Sequence, residues 1–122
     1  MYLELPQTPG KPFDIHTDMK STLVAWAAPV FDGGTPICGY HVRYREHGST
    51  DWTNFTTGFA LGYKFLVTGL KKSCFYEIQI AAENKVGMGD WSESSDLIEA
   101  IRKIYNIFIL MQTNYIKTYI NR

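Results

Sequence analysis

The sequence predicts an all-β domain, a Greek-key sandwich of seven strands, on three observations. From Tyr76 to Ala82, the residues Tyr76, Ile78, Ile80 and Ala82 alternate with Glu77, Gln79 and Ala81, a period of two that marks a strand with one buried face. Turn-forming residues recur every 8 to 12 positions and cut the chain into short segments of the same kind. Aromatic residues make up 15% of the chain, which suits a pleated, half-buried surface.

Each element follows from local chemistry. Residues 1–8 read as a linker, and Pro6, Pro9, Gly10 and Pro12 keep the opening out of any helix or central strand. Strand A is expected around Pro12 to Thr17, with Phe13 and Ile15 alternating, and strand B from Ser21 to Ala27, with Thr22, Val24 and Trp26 facing inward. Pro29 stops strand B, and Phe31 to Pro36 is a turn by composition. Strand C, Ile37 to Glu46, turns Tyr40, Val42 and Tyr44 one way and His41, Arg43 and Arg45 the other. A short strand around Trp52 to Phe55 comes next, then strand E, Tyr63 to Thr68, with Phe65 and Val67 inward. Strand F is Cys74 to Asn84, a Gly-containing turn covers Lys85 to Asp90, and strand G lies within Ser92 to Ile101. The expected core is Trp26, Tyr40, Val42, Leu70, Tyr76, Ile78 and Ile80. No repeat of 20 to 50 residues is present, so the sandwich is a single copy spanning residues 9–101.

Residues 102–122 differ in composition, being rich in Ile, Tyr, Asn and Lys with no Gly, Pro or acidic residue. Ile104, Phe108, Met111 and Tyr115 fall at helical spacing, so this non-domain tail is expected to be poorly ordered or a short amphipathic helix.

Charge and composition exclude several function classes. Lys plus Arg and Asp plus Glu number 12 each, so no net field draws the domain toward nucleic acid or an anionic membrane. The longest apolar run, Leu23 to Ala28, is six residues, far short of a membrane span, and the opening MYLELPQTPGKP has no secretory signal pattern. Cys38 opens strand C and Cys74 opens the antiparallel strand F, which puts them roughly 25 Å apart at about 3.3 Å per residue. Two free, half-buried thiols are therefore expected, a modest cue for a reducing compartment. His16, His41 and His47 do not cluster and read as solvated surface residues, so no metal and no cofactor is expected. Ser92, Ser94 and Ser95 lie at a strand edge without a matched base, and Gly87 to Gly89 reads as a hairpin turn with no helix behind it to bind an anion, so no enzyme is expected.

Several linked motifs carry a resemblance. The opening PGKP is followed by Trp26 and AAP, then by DGGTPICGYHVRYRE and Trp52. VTGL, Tyr76, AENKVG and WSESS close the pattern. Over residues 9–101 this resembles a fibronectin type III domain, an immunoglobulin-like seven-strand sandwich. The resemblance implies that Trp26 fills the gap between sheets and that the Tyr76 hydroxyl caps the turn between strands E and F. A finer similarity, in PGKP, DGGTPICGY with YRE and AENKVG, is to domains of the titin and twitchin family. It implies a non-enzymatic interaction or spacer module of a sarcomeric, cytoplasmic protein. Its partners would be neighbouring immunoglobulin or fibronectin type III domains and filament proteins.

The alternative is an extracellular module of a cell-adhesion molecule or cell-surface receptor. Asn54-Phe55-Thr56 is a glycosylation sequon, used only if the chain is secreted. Trp91-Ser92-Glu93-Ser94-Ser95 resembles the W-S-x-W-S box of cytokine receptors, where the Trp stacks on Arg side chains of strand F. Strand F here offers Glu77 and Gln79 instead, which leaves Trp91 packing on the sheet edge. If a partner binds, the loops at one end are the candidates: Phe31, Asp32, Gly33 and Gly34 between B and C, and Lys85, Val86, Met88 and Asp90 between F and G.

Overall fold

The computed structural model describes residues 2–56 and 60–102, so the expected tail helix over 104–115 lies outside the described residues. Among the described residues eight strands form: β1 (Phe13–Thr17), β2 (Thr22–Ala25), β3 (Gly39–Glu46), β4 (Thr53–Asn54), β5 (Lys64–Val67), β6 (Phe75–Asn84), β7 (Gly87–Met88) and β8 (Ile98–Glu99). One sheet has the order β1-β2-β5; the other has β4-β3-β6-β7, with β8 also paired to β6. Because β7 and β8 both join β6, they are two ends of one interrupted seventh strand. The fold is thus the seven-strand sandwich that the alternation and turn spacing predict.

The core sits between the sheets. Val24 and Trp26 face it from the smaller sheet, Tyr40 and Val42 from β3, and Tyr76, Ile78, Ile80 and Ala82 from β6, with Val67 and Leu70 closing one end. The long pairing of β3 with β6 opposes Val42 to Ile80 and Tyr44 to Ile78, so the apolar face of each strand meets the same side of the sheet. Aromatic edges fill the gap: Trp26 meets Tyr40 at 5.3 Å, Phe55 meets Phe65 at 5.3 Å, and Tyr44 lies between Phe55 and Tyr76. The Lys71 N–H donates to the Tyr76 hydroxyl at 2.7 Å, which ties the turn after β5 to β6. Cys38 and Cys74 are free, Cys38 exposed and Cys74 half-buried beside Glu46. A hydrogen bond to Glu46, then burial, pushes the Cys74 thiol up from its ordinary value.

Four local readings change. Phe13 and Ile15 are 58% and 47% exposed, and Ile15 falls at a bulge where the β1–β2 register shifts between Asp14 and His16. Gly87 and Met88 pair with Asn84 and Glu83 as β7, and the turn before them is only Lys85–Val86. Cys38 is not half-buried but exposed, since β3 begins one residue later at Gly39. The opening segment does more than approach the domain: Glu4 N–H donates to Gly33 O at 2.9 Å, Gln7 N–H to Phe31 O at 3.1 Å and Gly10 N–H to Ala27 O at 2.9 Å.

Candidate interaction surfaces

The stretch from Gly89 to Ile98 shapes one edge of the larger sheet. Ser92, Ser95 and Ile98 are buried while Asp90, Glu93, Asp96 and Leu97 are exposed, a period of three rather than two. Three is the repeat of an extended polyproline-type chain. The backbone N–H groups of Gly89, Ser92 and Ser95 donate to the carbonyls of Ala82, Ile80 and Ile78, at 2.8 Å each. In return, Ile80 N–H and Ile78 N–H donate to the hydroxyls of Ser92 and Ser95, both at 3.0 Å. Each serine thus supplies both halves of a ladder rung, with its side chain standing in for a carbonyl. A buried amide without that acceptor would stay unpaired. These serines, read from sequence as polar edge residues, are structural.

This path places Trp91 on the outer face of the sheet. The Arg43 guanidinium lies 4.2 Å from the Trp91 ring and 4.6 Å from the Trp52 ring, and the Arg45 guanidinium lies 4.5 Å from the Trp52 ring. The order is Trp91, Arg43, Trp52, Arg45. The cations come from β3, the neighbour of strand F, and reach the ring that strand F itself does not serve. The resemblance implies cations on strand F, whereas the structure brings them from β3. Arg43 also donates to Gln79 Oε1 from Nε and Nη2 at 2.8 and 2.6 Å, and Arg45 Nε donates to Glu77 Oε1 at 3.2 Å. Burial, then the charge of Arg45, lowers the Arg43 value from its ordinary one. His41 Nε2 meets Glu83 Oε1 at 2.7 Å and His47 Nδ1 lies 3.7 Å from Glu77. His41 is thus half-buried and bonded rather than simply solvated, while His47 is an exposed surface residue as expected. Both the period-three burial and the Arg-Trp alternation across β3 are visible in the sequence once the pairing partner is known.

The loop candidates gather at one end of the sandwich, around Asn84. Its Nδ2 donates to the carbonyls of Glu4 and Asp32, both at 2.8 Å, and its Oδ1 accepts from Val86 N–H and Gly87 N–H at 2.9 and 3.2 Å. Asn84 is 2% exposed and all its amide capacity is used. In the sequence Asn84 stands only as the last residue of strand F. The signal was an Asn just before a two-residue turn, where its side chain bonds backbone two positions on. Gly33 is buried against Glu4, whereas Phe31, Gly34, Lys85, Val86, Met88 and Asp90 are exposed. Asp32 Oδ1 accepts from Gly34 N–H at 2.8 Å, which shapes the loop.

Asn54 is exposed on β4, opposite Arg43, and the Thr56 hydroxyl of its sequon accepts from Val42 N–H at 3.3 Å. At the other end of the molecule a shallow hollow is lined by His16 to Lys20 and Arg102. There Asp18 is held below its ordinary value by hydrogen bonds from Lys20 and Ser21 backbone N–H groups and the Ser21 hydroxyl. Among the described residues no group of three or more His, Cys, Asp or Glu side chains is placed to hold a metal ion. No helix among them is long and apolar enough to cross a membrane.

The family model for the fibronectin type III domain matches residues 10–98. Chicken M-protein of striated muscle is 34% identical over 82 residues, 67% of this chain and 6% of that protein. Drosophila titin is 37% identical over 70 residues, 57% of this chain. The chain spans only a small fraction of the length of either relative. A crystal structure of titin domains A168–A170 superposes with a TM-score of 0.77 at 25% identity, covering 82% of this chain and 34% of that one. With the two-sheet topology, the Tyr76 hydroxyl on the turn and a family match over most of its length, this chain belongs to the fibronectin type III domain family.

Proposed function

We propose that this chain is a non-enzymatic interaction and spacer module of a modular, titin-like muscle protein in the sarcomere. It would work beside neighbouring immunoglobulin or fibronectin type III domains and filament proteins. One geometric observation carries the reading. The chain runs in against the loops at one end of the sandwich, where Glu4 bonds Gly33, and after β8 it reaches Arg102, beside the β1–β2 turn at the opposite end. A module threaded end to end in this way transmits position and tension along a series. Its similarity to single modules of M-protein and titin supports the same reading.

The exposure of Asn54 favours a second reading, a module of an adhesion molecule or receptor outside the cell. An immunoblot of native source tissue on a low-percentage gel, with and without an enzyme that removes N-glycans, separates them. A band of very high mass, unshifted by the enzyme, is expected. A band that shifts down places the protein in the secretory pathway and overturns the sarcomeric reading.

A further inference from the structure

Three glycines at the loop end are shaped for a peptide. Gly33 has φ +92°, and a side chain there would collide with the Glu4 carbonyl. One on Gly89 would collide with the Pro6 carbonyl, and one on Gly87 would lie 3.2 Å from Leu5 Cδ2. Together they leave a trough between the β2–β3 loop and the β6–β7 turn, open only because no Cβ fills it. Residues Leu5 and Pro6 lie in it. Hydrogen bonds hold the segment on both sides: Glu4 N–H donates to Gly33 O, Gln7 N–H to Phe31 O, and the Asn84 side-chain Nδ2 to Glu4 O. Pro6, Pro9 and Pro12 are buried and the residues between them are half-buried or exposed, again a period of three.

We infer that residues 3–9 form a strap, a peptide bound in cis to a dedicated glycine-lined trough. The strap sets the direction in which the chain enters the domain and covers Gly33 and Gly89, while Phe31, Gly34, Lys85, Val86, Met88 and Asp90 stay exposed. Asn84 is the latch, since one amide joins the strap, the β2–β3 loop and the β6–β7 turn. Two prolines reduce the entropy that the strap loses on seating.

Amide hydrogen exchange on the whole chain, read residue by residue by NMR, tests this. Glu4 and Gln7 amides are expected to exchange at least about tenfold more slowly than in a free peptide. Gly89→Ala, which fills the trough, and Pro6→Gly, which loosens the strap without touching the trough, should each remove most of that protection. The amides of Val42, Ile78 and Ile80 report whether the sandwich stays folded, and Pro6→Gly serves as the decisive variant if Gly89→Ala disturbs them. Free-peptide exchange at Glu4 and Gln7 in the unmodified chain overturns the proposal. So does undiminished protection in the folded variants.

Discussion

β6 and the stretch from Gly89 to Ile98 lie side by side on one sheet, yet they are built on different rules. β6 buries alternate residues, so Tyr76, Ile78, Ile80 and Ala82 meet the core while Glu77 and Gln79 reach the outer face. Its backbone bonds β3 in an unbroken register of eight residue pairs. The neighbouring stretch buries every third residue and meets β6 in steps of two: Gly89 at Ala82, Ser92 at Ile80, Ser95 at Ile78. With three residues spanning two, its carbonyls cannot all face β6. Serine hydroxyls accept the β6 amides instead. The gain is a side chain placed outward that a regular strand would not place there, Trp91 on the Arg43 guanidinium. Stability on β6 is thus a matter of apolar volume, while on its neighbour it is a matter of hydrogen-bond capacity.

Substitutions sharpen that contrast, and the largest effect belongs to β6. Ile80 is fully buried, so Ile80→Ala should lower stability by about 2–5 kcal/mol in urea unfolding, through lost transfer energy and a cavity. Ser92→Ala and Ser95→Ala remove almost no volume, yet each strands a buried amide, and each should lower stability by about 1–3 kcal/mol. Values near zero for both serines would mean that the hydroxyls are incidental and would break the comparison.

Next comes the outer face. Arg43→Met keeps much of the stem but removes the charge between two indoles, for an expected loss of about 1 kcal/mol and a change in tryptophan emission. Arg43→Lys should not restore it, because an ammonium cannot lie flat between both rings and bond Gln79 at once.

The last effect appears only in alkali. Burial, then the neighbouring Tyr63, pushes the Tyr40 hydroxyl up to about 12 in the fold, against about 10 in the unfolded chain. Below pH 10 Tyr40 is neutral in both states, and its contribution is fully present. From about pH 10 to 12 the unfolded chain gives up the proton that the fold retains, so stability falls across that window. Tyr40→Phe should flatten the fall without altering the pH profile near neutrality, as followed by thermal unfolding.

Much of the architecture was legible before any coordinate. Alternation in β3 and β6 identified Tyr40, Val42, Tyr76, Ile78 and Ile80, because a strand with one wet face writes its burial directly into every second residue. Trp26 and Leu70 came with the motifs around them, and both lie in the same core cluster. The interaction surfaces were less legible. Ser92 and Ser95 read as surface residues because their burial follows a period of three and their role is to accept bonds from another strand. Asn84 read as the end of a strand because its four partners stand at Glu4, Asp32, Val86 and Gly87, two of them distant in sequence.

The sequence by itself therefore determined the class of fold, the inward faces and the family. Those follow from local periodicity and turn chemistry, which depend on neighbours a few residues away. Only the tertiary structure decided which cation meets Trp91, what Ser92 and Ser95 bond, and where residues 3–9 lie. Those depend on which strands become neighbours, and a hydrogen bond or a stacked ring requires a partner within a few ångströms wherever that partner stands in the chain.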